Sequence, residues 1–272
     1  MKQRTRTQTR LIAAAFGLLL ALLGVLLWQG IRRGDAVRVG IPRSPAAMGA
    51  AMLLQTPSAQ YSCVLGSTEK ALQTALAAGE LDAALLPWAA AREMPEVEIL
   101  AAVGYEPLVI LGRTEQEPAL EDLAGKTLLL DEPLRGSRAE EMLRTLLREE
   151  EIGCTVVYEG TGDWIACDLD GAAARLAEDA DWHIALSVTK QWKKRMASPP
   201  PYGLCLAVRR EYLERAGSDF AAFQRALKNA MDYGAEKRKK TVAMAAEAGL
   251  VSTEALADAL YPSCDFLYQR IE

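Results

Sequence analysis

Residues 67–87, STEKALQTALAAGELDAALLP, read as a helix that runs directly into a buried strand. Leu72 and Leu76 repeat at helical spacing within 67–80, and LDAALLP (81–87) is a short apolar run of strand length. Working outward, VRVGI (37–41) and YSCVLG (61–66) are predicted strands on the N-terminal side, with a helix over SPAAMGAAMLLQ (44–55) between them. EVEILAAVG (96–104) and PLVILG (107–112) follow as two more strands. Strands and helices alternating through short links specify an α/β sheet with right-handed crossovers.

A second block of the same kind begins after the polar stretch RTEQEPALEDLAG (113–125). KTLLLDEP (126–133), CTVVYEG (154–160) and WHIALS (182–187) are predicted strands; helices are expected from about Ser137 to Glu151 and over AAARLAEDA (172–180). SPPPYG (198–203) then interrupts the pattern, because consecutive prolines admit neither a helix interior nor a central strand. GLCLAVRR (203–210) returns to strand character, and helices are expected over 218–234, 235–248 and 252–260. This predicts one lobe from 35–112 together with 202–272, a second lobe from 113–201, and linkers near Gly112–Pro118 and Ser198–Pro201. Two lobes joined by two crossings enclose a cleft, and open α/β sheets bind ligands at the carboxyl ends of their strands.

Composition narrows the function. Half of the 272 residues are hydrophobic and a quarter are charged, which excludes a disordered chain. A single histidine, His183, and five scattered cysteines (Cys63, Cys154, Cys167, Cys205 and Cys264) exclude a zinc module and a histidine-based triad. No metal and no cofactor are therefore expected. Lys2, Arg4, Arg6, Arg10, Arg32 and Arg33 all precede the first acidic residue, Asp35, so the net charge of −5 conceals a strongly acidic body. An acidic body is a poor partner for nucleic acid.

LIAAAFGLLLALLGVLLW, Leu11–Trp28, contains no charge. As a helix it would span about 27 Å, close to the hydrocarbon thickness of a bilayer. It is longer than a cleavable apolar region, no small-residue cleavage site follows it, and no cysteine precedes Cys63. The basic flank before it predicts residues 1–34 as a cytoplasmic tail and single-pass membrane anchor, with the body outside. An inefficiently cleaved secretory signal is the alternative, and it also exports the body.

The loops after strands carry the candidate binding residues. In LRGSRAEEMLRTLLREE (134–150), Gly136 admits close backbone approach, Ser137 is suited to cap the following helix, and Glu140 completes a capping box. Such a start serves either as a plain helix cap or as an anion site, to which Arg138 would add a charge. Arg43 and Ser44 follow the first strand, and Ser67 and Thr68 follow the second. Trp88, directly after the third strand, is a candidate wall of the cleft, or else a core or rim aromatic. Thr161 and Gly162 complete the set, in the EGTGDW loop. His183 reads as a satisfied structural histidine, and Trp192 as the apolar side of a basic surface helix.

These segments resemble a known family. STEKALQTALAAGELDAALLPWAAA, EDLAGKTLLL followed by RGSRAEEMLRTLLREEEI, and YGLCLAVRREYLERAGSDFAAFQRALKNAMDYG occur in the order seen in type II ABC-importer substrate-binding proteins. The branch most resembled handles nitrate, taurine, aliphatic sulfonates and thiamine precursors, and the match spans about residues 37–265. The resemblance implies a two-lobed α/β fold of the type II periplasmic-binding-protein kind, here with an N-terminal transmembrane helix. It further implies a non-enzymatic monomer that captures a small polar or anionic solute and delivers it to an ABC permease with its ATPase subunits. Gly136 and Ser137 match the ligand loop of the second lobe, Pro42 to Ser44 and Ser67 match loops of the first, and Trp88 matches the position after the third strand. Two features depart from the family pattern: the lipid-anchor cysteine is missing, and EGTGDW lacks the usual P-x-D. An enzyme on the same fold, of the menaquinone or pyrimidine biosynthesis kind, and an extracellular ligand-sensing domain are the competing readings.

Overall fold

Two β-sheets organise the chain in the computed structural model, which describes residues 36–113, 118–162 and 164–271. The strands are β1 (Val37–Pro42), β2 (Tyr61–Gly66), β3 (Ala83–Pro87), β4 (Val97–Tyr105), β5 (Leu108–Gly112), β6 (Thr127–Leu130), β7 (Thr155–Val157), β8 (Trp164–Asp168), β9 (His183–Ser187), β10 (Tyr202–Arg209) and β11 (Gln269–Arg270). The first sheet has the order β11-β4-β10-β3-β1-β2 and the second β7-β6-β8-β5-β9. β1 runs parallel to β2 and β3, so their carboxyl ends share one edge, while β10 lies antiparallel between β3 and β4. In the second sheet β6 is parallel to β7 and β8, and β5 is antiparallel to β8 and β9.

The helices are α1 (Ala51–Gln55), α2 (Glu69–Ala77), α3 (Trp88–Arg92), α4 (Arg138–Glu149), α5 (Leu169–Glu178), α6 (Val188–Arg195), α7 (Arg210–Leu213), α8 (Ser218–Glu236), α9 (Arg238–Glu247) and α10 (Glu254–Leu260). The predicted helix over 44–55 divides into a 3-10 turn, Pro45–Ala50, and α1. Both faces of the first sheet are covered, which is why its central strand β3 reads as an unbroken apolar run. Leu72 and Leu76 of α2 pack with Leu86 and Cys205 on one side, and Phe223 and Leu227 of α8 pack with Val39 and Ile41 on the other. On α4, Met142, Leu143, Leu146 and Leu147 form one apolar stripe against Leu128 and Leu130. Each such leucine contributes about 1.5–3 kcal/mol by leaving water. The acidic position of the GELDA segment has a structural use: the buried Asp82 carboxylate accepts from the Arg38 backbone N–H at 3.0 Å and from its guanidinium at 2.9 Å, tying β3 to β1.

The two sheets are connected at places only partly marked in the sequence. The sequence expectation put residues 107–112 with the first lobe; β5 pairs instead with β8 and β9, so the chain changes sheets at Glu106–Pro107. The apolar content is alike on both sides of that dipeptide, so nothing local signals the change. The linker expected at Gly112–Pro118 includes residues 114–117, which lie outside the described residues. The chain returns between α6 and β10, where Ser198–Pro201 falls. β8, for which no element was expected, is the middle strand of the second sheet.

Leu11–Trp28 also lies outside the described residues, and among the described residues no helix is long and apolar enough to cross a membrane. The five cysteines are free thiols.

Candidate functional site

Where the chain changes sheets, two strands touch. The Glu106 N–H donates to the Pro201 carbonyl at 2.8 Å, and Tyr105 faces Tyr202 across the β4–β10 ladder with their rings stacked at 5.8 Å. The Trp88 ring packs against Tyr202 at a tilt of 42°, with centroids 5.0 Å apart. Only glycine fits at position 203, because a Cβ there would stand 2.6 Å from the Tyr105 carbonyl oxygen. Thr189, fully buried on α6, secures the outgoing strand: its hydroxyl donates to the Glu106 carbonyl at 2.6 Å and accepts from the Leu108 N–H at 3.3 Å. These bonds satisfy backbone groups that Pro107, lacking an N–H, leaves between the two ladders.

Beside this crossing is a cavity of about 280 Å³. Pro42, Arg43 and Ser44 enter it from the end of β1, Thr68 and Glu69 from the start of α2, and Pro87 from the end of β3. Asp168, Leu169 and Asp170 come from the end of β8 and the first turn of α5, and Glu106 and Pro107 from the crossing itself. The cavity therefore lies between the carboxyl ends of parallel strands in both sheets, where open α/β sheets place their ligands.

One hydrogen bond spans the cavity. Ser44 Oγ donates to Asp170 Oδ2 at 2.8 Å and accepts from the Ala46 N–H at 3.2 Å, capping the 3-10 turn. Beside it, Leu169 and Ala172 of α5 are buried in an apolar cluster shared with Ala47 and Met48 of the turn. Asp168 caps α5, its Oδ1 accepting from the Gly171 N–H at 2.7 Å.

Two cavity carboxyls are displaced from their ordinary range. Burial pushes Glu106 up to about 7, opposed by the Arg138 guanidinium and assisted by Asp168. Burial between the sheets likewise raises Asp170 to about 6, with the Ser44 hydrogen bond acting the other way and the charges of Asp168 and Glu69 adding to the rise. Asp170 is exposed by surface area, so solvent reaches the residue even as its surroundings desolvate the carboxyl.

No protein-family model matches the sequence, and no curated protein matches it. Solved structures do match the fold. An ABC transporter structure from Parabacteroides distasonis aligns with a TM-score of 0.65 at 15% identity, covering 86% of each chain. The ligand-binding component of an ABC-type import system from Staphylococcus aureus, solved with zinc bound, aligns at 0.60 and 14% identity, covering 87% of each. The periplasmic aliphatic sulphonate binding protein SsuA of Escherichia coli aligns at 0.59 and 16% identity, over 88% of this chain and 82% of that one. The fold is that of the bilobed, type II periplasmic binding proteins. At these identities the likeness is one of architecture.

Within this binding-protein fold, the residues singled out in the sequence fall in several places. Arg43, Ser44 and Thr68 line the cavity; Ser67 is exposed next to it but outside its lining. Thr68 Oγ1 caps α2 by accepting from the Ala71 N–H at 3.1 Å. Trp88 packs against Tyr202 in a tilted ring contact, and its neighbour Pro87 is the one that reaches the cavity. Thr161 and Gly162 lie in the loop before β8, outside the lining.

Gly136, Ser137 and Arg138 border a separate open depression of about 670 Å³ along α4, with Arg135, Arg144 and Arg148. Here the helix start supplies its own anion. The Glu140 carboxylate accepts from the Gly136 N–H at 2.7 Å, from Arg144 Nε at 2.6 Å and from the Tyr158 hydroxyl, while Ser137 Oγ accepts from the Glu140 N–H at 3.3 Å. The Tyr158 hydrogen bond leads, with Gly136 and Arg144, in holding the Glu140 carboxyl down at about 2. The capping box is thus formed, and the carboxylate it recruits occupies the N–H group beside Gly136.

His183, expected as a satisfied structural histidine, keeps Nε2 buried without a hydrogen-bond partner among the described residues. Trp192 is buried, its indole N–H donating to the Ser198 carbonyl at 2.8 Å. The ionisable cavity residues absent from the sequence expectation are Glu69, Glu106, Asp168 and Asp170. Asp168 and Asp170 flank Leu169 in CDLDG, and an aspartate three residues before a glycine at a helix start was the available signal.

Proposed function

We propose that this chain is the extracytoplasmic solute-binding component of an ABC importer, holding a small polar solute in the 280 Å³ cavity and presenting it to a permease driven by ATPase subunits. The cavity carries this reading: it sits between the carboxyl edges of two sheets that are linked by a narrow pair of adjoining crossings. Opening and closing about Tyr105–Glu106 and Ser198–Tyr202 would admit and retain a solute while each sheet stays intact. The lobes so defined are the first sheet with its helices and the second sheet with its own, acting as a monomer. Leu11–Trp28 fits a single-pass anchor with residues 1–34 on the cytoplasmic side and the body outside.

Native mass spectrometry of the full chain, purified from its own membranes in detergent, tests the receptor reading. A small molecule retained by the folded protein and released on denaturation is the expected result. A folded protein that carries no solute and gains none from the host's growth medium would overturn it. Protease added to intact cells should digest the body while leaving the N-terminal segment with the membrane; a protected body would overturn the topology.

A further inference from the structure

The walls of the cavity set the charge of what it holds. Its apolar parts are Pro42, Ala46, Pro87, Pro107, Leu169 and Leu204. Its ionisable parts are the carboxylates of Glu69, Glu106, Asp168 and Asp170 against the guanidinium of Arg43. The Arg43 side chain extends toward the loop after α9, where its Nη1 comes within 4.0 Å of the Cβ position of Gly249. Asp170 and Asp168 each already accept one internal hydrogen bond, from Ser44 and from the Gly171 N–H. Glu106, at the crossing, is influenced by Arg138 and Asp168 and accepts no hydrogen bond among the described residues.

We infer that the cavity accepts a small organic cation, a protonated amine or amidine on an apolar body, rather than a sulfonate, nitrate or other anion. This rests on the receptor reading above. Above about pH 7 an anion would be desolvated among four carboxylates, opposed by the offset Arg43 and by Arg138 acting on Glu106 from outside the lining, whereas an ammonium group would give those acceptors charge-assisted donors. A metal ion fits less well, because no group of three acidic, histidine or cysteine side chains among the described residues converges closely enough to hold one. At roughly 30 Å³ for each water displaced, the 280 Å³ cavity suits a solute of small size with its apolar part against the proline and leucine walls.

The electrostatics of the walls supports the same assignment. Burial, with the charge of Asp168 beside Glu106 and those of Asp168 and Glu69 beside Asp170, outweighs Arg138 and the Ser44 hydrogen bond, so both carboxyls keep their protons toward neutral pH. A bound cation favours the ionised forms and expels those protons. Affinity for a cation therefore rises with pH through about 6 to 7, and affinity for an anion falls.

Two probes of matched shape and opposite charge decide the matter: propylammonium chloride and sodium propanesulfonate, titrated into the full chain at equal ionic strength and followed by thermal unfolding. Propylammonium should bind about tenfold or more tightly at about pH 8 than at about pH 5, and propanesulfonate should give no stabilisation. Glu106→Gln should weaken propylammonium about tenfold with circular dichroism unchanged, and Asp170→Asn provides a second variant should the first misfold. Stabilisation by propanesulfonate, a propylammonium effect indifferent to pH and to both substitutions, or no effect of either probe would each overturn the inference. An anionic solute found by native mass spectrometry would overturn the cation and leave the receptor standing; absence of any retained solute would overturn the receptor itself.

Discussion

Ser44 and Asp170, 126 positions apart in the chain, are joined across the cavity by a hydrogen bond of 2.8 Å. The same Ser44 oxygen caps the 3-10 turn through the Ala46 N–H, so one hydroxyl fixes a turn under the first sheet and the first turn of α5 under the second. Ser44→Ala removes both bonds and leaves a desolvated carboxyl with one fewer donor. A loss of about 1–2 kcal/mol is expected in urea unfolding. The Asp170 carboxyl, which Ser44 holds down, should titrate higher still in the variant when followed by carbon NMR. An unmoved Asp170 titration would mean that the two groups are not bonded in solution.

Glu106 links stability to pH with a definite sign. Its carboxyl is raised from 4.5 to about 7 in the folded chain, so the folded state holds more protons than the unfolded state between those values. Stability is therefore fully present below the unfolded value and is lost as pH rises through the folded one. Glu106→Gln resembles the protonated form. It should match the wild type near about pH 4.5 and exceed it at about pH 8, by a margin on the order of 1–3 kcal/mol. Parallel denaturation curves at the two pH values check this; a constant difference between the proteins would exclude Glu106 as the titrating group.

Glu140 has the opposite sign. Hydrogen bonds from Tyr158, Gly136 and Arg144 hold its carboxyl at about 2, so its stabilising contribution is present above the ordinary 4.5 and disappears as pH falls toward 2. Glu140→Ala should cost about 1–3 kcal/mol at neutral pH and release Tyr158, whose ultraviolet spectrum should then report a solvent-exposed phenol. If Glu140→Ala unfolds at the wild-type urea midpoint, the network contributes no stability.

The alternation of strands and helices was legible because burial on both faces leaves unbroken apolar runs in β3 and β5, and because α4 repeats its leucines at helical spacing. The cap at Ser137 was legible for a similar reason, being a short-range relation within three residues. What escaped was set by distance. β8 is five residues long and gains its identity from β6 and β5 on either side, and Asp168 and Asp170 became cavity residues only through that placement. Glu106 looks like the polar half of a turn until Pro201 and Thr189 are brought beside it. The helix start at Gly136 had the composition of an anion site, yet the occupant of its N–H is Glu140, four residues along the same helix.

Two glycines separate steric necessity at the crossing from ordinary backbone preference. Gly203 is outside the left-handed region but has no room: a methyl group there would stand 2.6 Å from the Tyr105 carbonyl oxygen at the end of β4 and 2.8 Å from the Glu106 nitrogen just beyond it. Gly136 is the reverse case, with φ of +72° and nothing within 4 Å of an added Cβ. Gly136→Ala should therefore cost about 1–2 kcal/mol, the penalty for a left-handed alanine. Gly203→Ala must push β4 from β10 where they cross, and overpacking against backbone should cost at least about 1–3 kcal/mol. The two differ further in what they disturb. Separation at residue 203 breaks the Glu106 to Pro201 bond and spreads the Trp88, Tyr202 and Tyr105 rings, so the near-ultraviolet dichroism of Gly203→Ala should fall in the aromatic region while that of Gly136→Ala stays at the wild-type value. If Gly203→Ala keeps both its wild-type stability and its aromatic signal, the strands do not cross as closely as the Gly203 contacts require, and the hinge assigned to Tyr105–Glu106 loses its steric basis.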